Sequence, residues 1–208
     1  MDKSKLSIVI IDDHAVMRNG LASWFTATGR WSIAGTASSL TEAKELFCPS
    51  DLIEPSLTAN VMLLDIELKD GWGLDIIPWL GEQDIPCPLV AVYSNFEEYA
   101  YVKLAFDWGA GAYISKVREE SEVEAALNCL IGGDVWIDPR VLTKSQSVKG
   151  LIDLLSPREF EILILIKKGL NNKQIADVLD IGFKTVENHI SNMYDKTGIH
   201  SRLELQKL

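Results

Sequence analysis

Cysteine is scarce in this chain. Its 208 residues include only Cys48, Cys87 and Cys129, an odd number set far apart. They make neither a disulfide framework nor a metal-spaced pair, which predicts a reducing compartment. Each reads as a small buried or half-buried hydrophobe. Long apolar runs are missing too: no stretch approaches the ~18 residues of a membrane helix. The opening Met1-Asp2-Lys3-Ser4-Lys5 leads directly into a strand-like run, with no apolar leader core and no small-residue cleavage site. A cytoplasmic protein with no membrane partner is therefore expected. There is no internal repeat and no low-complexity tract.

Positive charge is in deficit: 20 Lys and Arg stand against 30 Asp and Glu, for a net charge of −10. The deficit is local. Residues 1–131 carry −11, residues 132–150 carry +1, and residues 151–208 are neutral. A neutral C-terminal piece with clustered Lys and Arg can still approach phosphates.

Four short apolar runs each end on a polar residue. Leu6–Ile11 runs into Asp12-Asp13, Val61–Leu64 into Asp65, Leu89–Tyr93 into Ser94, and Ala112–Ser115 into Lys116. Such runs suit strands buried on both faces of a parallel sheet. Functional groups gather at the carboxyl ends of the strands in open sheets of this kind. Strands are expected at about 6–12, 31–37, 60–65, 88–94 and 111–115. Helical patterns lie at about 15–28, 39–47, 73–80, 96–108 and 119–131. Five βα units imply an α/β, doubly wound, five-stranded parallel sheet with helices on both faces. Residues 48–60 read as an irregular loop.

Gly132-Gly133-Asp134 stops the last of these helices. Residues 132–150 read as a polar linker with one short helical turn, including Lys144-Ser145-Gln146-Ser147. Residues 151–208 read as a second, smaller, all-α domain. Ser156-Pro157-Arg158-Glu159 supplies an N-cap, a proline at the first helical position and a glutamate at the third. Later helices begin at Asn171 or Asn172, at about residue 184, and after Ser201, the last reaching the C-terminus. The domains are thus 1–131, a linker 132–150, and 151–208.

A carboxylate can accept a phosphoryl group if a divalent cation neutralises its neighbours and a fixed cation holds the phosphoryl oxygens. Mg²⁺ takes one or two carboxylates, with waters and phosphate oxygens. Asp12 or Asp13, with Asp65, would supply the carboxylates, Lys116 the point charge, and Ser94 a hydroxyl. His14 follows the acidic pair and reads as a loop or first-turn residue.

At these residues the chain resembles the receiver domain of two-component response regulators, a flavodoxin-like fold, over residues 6–131. The resemblance implies that a histidine kinase or small phosphodonor phosphorylates Asp65 in a Mg²⁺-dependent reaction. It implies a metal held by Asp12, Asp13, Asp65 and the Glu67 backbone carbonyl, with Ser94 and Tyr113 as the switch pair. Gly73, eight residues after Asp65, also matches. One departure stands out: Lys69 occupies the family's usual proline site.

Asn172–Leu179 followed by Lys184–His189 has the layout of a helix-turn-helix. Ile175, Ala176 and Leu179 are expected to face inward, with Val186, Ile190 and Met193 as the buried stripe of the second helix. The complementary face presents Lys184, Glu187, Asn188, Ser191 and Asn192, where Asn suits adenine and Glu suits cytosine. Lys173, Lys184, Thr185, Lys196 and Arg202 are candidate phosphate contacts. The segment resembles the LuxR-type helix-turn-helix from Leu155-Ser156-Pro157-Arg158-Glu159 through Lys196-Thr197-Gly198-Ile199. Together the two resemblances indicate a response regulator of the NarL/FixJ class. Glu187 departs from the lysine of several relatives, which implies a different base preference.

The expected function is a phosphorylation-controlled DNA-binding transcriptional regulator. Its partners would be DNA, a histidine kinase, a second copy of itself when phosphorylated or on DNA, and RNA polymerase as a further candidate. It is not expected to be an enzyme beyond accepting and losing its own phosphoryl group. A phosphatase for external substrates would need a second catalytic acid beside Asp65. A constitutive DNA binder would not need the acidic constellation.

Overall fold

The computed structural model describes residues 5–48, 57–141 and 149–208. The chain divides into two compact units: the first, built around a sheet, runs to Phe96 and resumes over Leu104–Asp138, and the second takes Glu97–Lys103 and the chain from Pro139 onward. Most of the expected 48–60 loop and Lys144–Ser147 of the expected linker lie outside the described residues.

The first unit alternates β1 (Leu6–Ile11), α1 (Ala15–Ala27), β2 (Trp31–Ala37), α2 (Leu40–Phe47) and β3 (Val61–Leu64). A small hairpin follows, β4 (Glu67–Leu68) and β5 (Gly71–Trp72), before α3 (Ile76–Glu82). β6 (Leu89–Ser94), α4 (Tyr99–Asp107), β7 (Ala112–Ser115), α5 (Glu120–Ile131) and β8 (Trp136–Ile137) follow, α4 falling in the first unit only from Leu104. The main sheet has the order β2-β1-β3-β6-β7-β8, and every pairing within it is parallel.

The strands form where expected because β1, β3, β6 and β7 are buried on both faces. Ile8–Ile11, Val61–Leu64, Val90–Tyr93 and Ala112–Ile114 are all buried. On one side of the sheet Phe25 and Trp31 pack edge to face, with ring centroids 5.4 Å apart, among Leu21, Val123, Leu127 and Leu130. Such aromatic pairs add about 0.5–1.5 kcal/mol beyond their burial.

The sheet has six strands, not the expected five. Trp136–Ile137, read as linker, pairs in parallel with Ala112 and Tyr113. Gly133, at φ +89°, reverses the chain after α5 and returns it to the sheet edge. The element expected at 73–80 starts as a 3₁₀ turn, Gly73–Asp75, and becomes α-helical at Ile76.

The second unit contains α6 (Lys149–Ile152), α7 (Pro157–Lys167), α8 (Asn172–Val178), α9 (Phe183–Thr197) and α10 (Arg202–Leu205). Ser156 with Glu159, and Asn171 with Gln174, form reciprocal capping boxes. Gly198, at φ 69°, closes α9 in the left-handed conformation that only glycine adopts cheaply. Ser201 caps α10 through the Glu204 N–H, but the helix ends at Leu205, short of the C-terminus. No helix among the described residues is long and apolar enough to cross a membrane.

Candidate functional site

The register of the sheet assembles the acidic pocket. Ile11 lies opposite Leu64, so Asp12 and Asp65 leave neighbouring strands at the same level. Ser94 lies opposite Ser115, which brings Lys116 to the same rim. The Asp65 N–H donates to the Ile11 carbonyl at 2.9 Å, and the Lys116 N–H donates to the Ser94 carbonyl at 2.9 Å. Strand order reverses between β1 and β3, which is where open α/β sheets place their sites.

Lys116 Nζ lies 2.6 Å from Asp65 Oδ2 and 2.7 Å from Asp12 Oδ2. The contact to Asp65 is a hydrogen bond. The contact to Asp12 is an ion pair without hydrogen-bond alignment. Asp12 Oδ2 is buried and accepts no hydrogen bond, and the same holds for Asp13 Oδ1. All three partners of the ion-pair triad are buried: Asp12 is 2%, Asp65 4% and Lys116 8% exposed.

Burial pushes the Asp65 carboxyl above its ordinary range, and the nearby Asp12 charge adds to this. The Lys116 hydrogen bond and the Glu67 main chain only partly offset it. An isolated lysine cannot neutralise three carboxylates, so the pocket is short of positive charge. Ligand atoms of Asp12, Asp13, His14 and Asp65 all lie within 4.8 Å of one another. Orphaned carboxylate oxygens in so small a space fit a hard divalent cation. His14, which the sequence allows as a metal ligand as well as a loop or first-turn residue, belongs to this set. Its Nδ1 lies 2.7 Å from Asp13 Oδ1, and its N–H donates to Asp12 Oδ1 at 2.8 Å.

Gly73 shows why its position excludes a side chain. A Cβ there would stand 1.8 Å from the Asp65 carbonyl oxygen. Its N–H donates to the Ile66 carbonyl at 2.8 Å, which closes the chain tightly behind Asp65. Glu67 is exposed on β4.

The two switch candidates meet through a residue that sequence reasoning missed. Ser94 Oγ accepts from the Phe96 N–H at 3.3 Å, and the Tyr113 hydroxyl donates to the Phe96 carbonyl at 2.7 Å. Both side chains are fully buried. Main-chain groups carry the link, so no residue type could have flagged it.

Asp138 was also missed. It is fully buried at the end of β8, and Arg118 grips it with two bonds at 2.7 and 2.5 Å. Arg118 follows Lys116 by two residues, so this pair braces the loop that presents the lysine.

In the second unit Val186, Ile190 and Met193 are buried on one stripe of α9, with Ile175 and Ala176 buried on α8 and Leu179 half-buried just after it. Lys184, Thr185, Asn188, Ser191 and Asn192 are exposed on α9, as is Lys173 on α8, while Glu187 is half-buried. Lys184 pairs with Glu187 at 3.0 Å. Two of the candidate phosphate contacts have partners inside the protein. Lys196 pairs with the buried Glu159 at 2.7 Å. Arg202 donates to Asn172 Oδ1 at 2.8 Å and to the Leu170 carbonyl.

Comparison with known proteins assigns this arrangement. Residues 8–128 match the profile described as "Response regulator receiver domain". Residues 153–208 match that of "Bacterial regulatory proteins, luxR family". The chain belongs to the response regulator family, with a receiver followed by a LuxR-type DNA-binding region. The response regulator protein VraR of Staphylococcus aureus is 28% identical over 203 residues, 96% of this chain and 93% of its own. RcsB of Salmonella enterica serovar Typhimurium, solved bound to promoter P1flhDC with the phosphomimetic BeF3−, superposes with a TM-score of 0.74. That match has 21% identity and covers 98% of this chain and 97% of RcsB. Response regulator ChrA of a heme-sensing two-component system is 25% identical over 98% of this chain and 95% of its own, with a TM-score of 0.52.

Proposed function

We propose that this protein is a phosphorylation-controlled transcriptional regulator of a two-component system, in which Asp65 accepts a phosphoryl group from a histidine kinase. The observation that carries the reading is Lys116 Nζ set between Asp12 and Asp65, beside carboxylate oxygens that accept no hydrogen bond. The cofactor proposed is Mg²⁺, held by Asp12, Asp13, Asp65 and the Glu67 carbonyl. When bound, it supplies the charge neutralisation that lets an anionic acceptor meet an anionic donor.

An Asp65 carboxylate oxygen attacks phosphorus in line with the donor's leaving atom. For a phosphohistidine donor the P–N bond breaks as the P–O bond forms, and the imidazole leaves with its electron pair and takes a proton from solvent. Lys116 stays charged and follows the oxygens of the transferred group. Ser94 Oγ gives up its Phe96 partner and donates its hydroxyl to a phosphoryl oxygen, and Tyr113 stays inward. Water later attacks the acyl phosphate and restores Asp65. That reaction is a timer acting on the protein itself, so we assign no external substrate.

The output is DNA binding by residues 151–208, connected through the segment after Asp138 to the receiver, whose sheet takes in β8 from the expected 132–150 linker. Glu187, Asn188, Ser191 and Asn192 are the proposed base-facing residues on α9. Lys173, Lys184, Thr185, Lys196 and Arg202 are the proposed backbone contacts, the last two prearranged by Glu159 and Asn172. A phosphoryl group adds about −1.5 to −2 charge, enough to shift a two-state equilibrium toward a dimer-competent form. A cytoplasmic location and contact with RNA polymerase follow from this role. The test uses the full chain with acetyl phosphate and Mg²⁺, reading adduct formation on Asp65 by mass spectrometry and operator affinity by anisotropy. Both should respond in the wild type and neither in Asp65→Asn. Equal tightening in that variant sinks the reading.

A further inference from the structure

The hairpin between the acceptor strand and α3 is fastened to the start of α2. Asp70, at its turn, accepts from the Leu40 N–H at 2.7 Å with one carboxylate oxygen. The other oxygen accepts from the Thr41 N–H at 3.0 Å and from the Thr41 hydroxyl at 2.7 Å. Ser39 Oγ takes the next N–H, that of Glu42, at 3.1 Å. The first turn of α2 is thus capped jointly by its own serine and by a residue thirty positions away. Beside it Lys69 Nζ donates to Ser38 Oγ at 2.9 Å and lies 3.8 Å from Glu42 Oε1. Gly71 lets the turn sit close, since a Cβ there would stand 3.2 Å from Leu40 Cδ2.

The hairpin needs this outside hold. Glu67 pairs with Trp72 and Leu68 with Gly71, which leaves Lys69 and Asp70 as a two-residue loop. Two-residue hairpin loops favour positive φ at one or both positions, because only then does the turn match the strand twist. Neither Lys69 nor Asp70 has a positive φ. A two-stranded pair this short has little stability of its own. The same hairpin begins at Glu67, two residues after Asp65, and the Glu67 main chain is near enough to the Asp65 carboxylate to favour its charged form.

We propose that Asp70 is a positioning residue for the phosphoacceptor pocket: by capping α2 from the hairpin turn it fixes the Glu67 main chain against Asp65. The inference rests on the phosphoacceptor reading above. Asp70 touches neither the donor nor the reacting atoms and acts only through the hairpin. Lys69, where the family's proline would stiffen the loop covalently, adds a second tether. A rigid ring is replaced here by hydrogen bonds to a helix end. The carboxylate is suited to that task. Burial pushes its proton affinity up, but the Thr41 and Leu40 donors outweigh it and hold the carboxyl below its ordinary range.

The experiment compares the full-length wild type with Asp70→Ala and Asp70→Asn. It reads the initial rate of Asp65 phosphorylation by acetyl phosphate, Mg²⁺ affinity by tryptophan fluorescence, and melting temperature. Hydrogen exchange over Glu67–Trp72 is followed in parallel. Residues that orient a metal ligand from behind typically change affinity or activity about 10-fold or more when lost. Asp70→Ala should weaken Mg²⁺ binding and slow phosphorylation by about that factor, with faster exchange in the hairpin. Asp70→Asn, which keeps an acceptor for one N–H, should fall between. Unchanged Mg²⁺ affinity overturns the proposal, whether or not the melting temperature falls. Should Asp70→Ala not fold, Thr41→Val removes a single bond to Asp70 and gives the same reading with a smaller loss. A wild type that takes no phosphoryl group refutes the phosphoacceptor role itself. An active wild type with an indistinguishable Asp70→Ala refutes only the clamp.

Discussion

The Tyr113 hydroxyl donates to the Phe96 carbonyl at 2.7 Å, while the N–H of the same Phe96 donates to Ser94 Oγ at 3.3 Å. The two candidate switch residues are therefore joined by one peptide segment just beyond β6. Any movement of Ser94 toward a phosphoryl group releases a bond on that segment. Tyr113 holds its other side from within the core.

Tyr113→Phe should separate acceptance from response. The ring stays buried and Asp65 should be phosphorylated at the wild-type rate. Loss of one buried hydrogen bond costs about 1 kcal/mol. The gain in operator affinity on phosphorylation should shrink several-fold. Anisotropy titrations with and without acetyl phosphate measure it, and an undiminished gain would remove Tyr113 from the switch.

Gly73→Ala should damage the site from behind. The added methyl meets the Asp65 carbonyl oxygen at 1.8 Å, so strand end or turn must shift. Overpacking of this kind costs about 1–3 kcal/mol. For a chain of this size each kcal/mol lowers the melting temperature by roughly 2–4 °C. Phosphoryl acceptance should fall further than stability, because the carbonyl belongs to the acceptor itself. A melt and a phosphorylation time course on one preparation compare the two.

Asp65→Asn should raise the melting temperature in the presence of EDTA. Burial and the neighbouring Asp12 raise the Asp65 carboxyl above its ordinary range, so the folded protein favours its neutral form. An amide mimics that form at every pH. The stabilisation should be largest where the wild-type carboxyl is ionised, near neutral pH, and should fade as pH falls through the carboxylate range. A wild type that melts higher than the variant at neutral pH in EDTA would contradict this balance.

The C-terminal unit should lose stability in acid through Glu159. Burial raises that carboxyl, but Lys196 and the Ser156 N–H and hydroxyl outweigh it and leave it below its ordinary range. A group lowered in the folded state stabilises fully above its unfolded pKa and loses that contribution as pH falls through the folded value. Glu159→Gln should therefore melt lower than the wild type at pH 7, and the gap should close as pH drops below about 4.3, the ordinary glutamate value. A pH series of melts on both proteins checks the sign.

Lys184→Ala should weaken DNA binding without altering base preference. Lys184 is 82% exposed by side chain and pairs with Glu187 on its own helix. If it meets a phosphate, the slope of log K against log salt should lessen by about 0.9. A slope equal to that of the wild type would place Lys184 away from the backbone.

Much of the first unit was legible because β1, β3, β6 and β7 bury both faces, so composition alone marks them. Asp12, Asp65, Ser94 and Lys116 were legible as the residues at which those runs stop. β8 was not. Its two residues, Trp136 and Ile137, follow a polar turn, and only their pairing with Ala112 and Tyr113 makes them a strand. The hairpin at Glu67–Trp72 was missed because, although Asp70-Gly71 is a turn dipeptide, its strands are only two residues each and its support comes from Leu40 and Thr41. Asp138 and Asp70 read as ordinary loop acids until Arg118 and the start of α2 are placed beside them. In the C-terminal unit the caps at Ser156, Asn171 and Ser201 are local chemistry and could be read directly. The partners of Lys196 and Arg202 are distant in sequence and could not.

The tie through Phe96 uses an amide and a carbonyl that nearly every residue possesses. Alanine at position 96 would keep both main-chain groups of the tie between Ser94 and Tyr113. Proline is the single substitution that deletes the donor, since it alone lacks the N–H. A receiver wired in this way carries its signal through main-chain atoms that no substitution at that position other than proline removes.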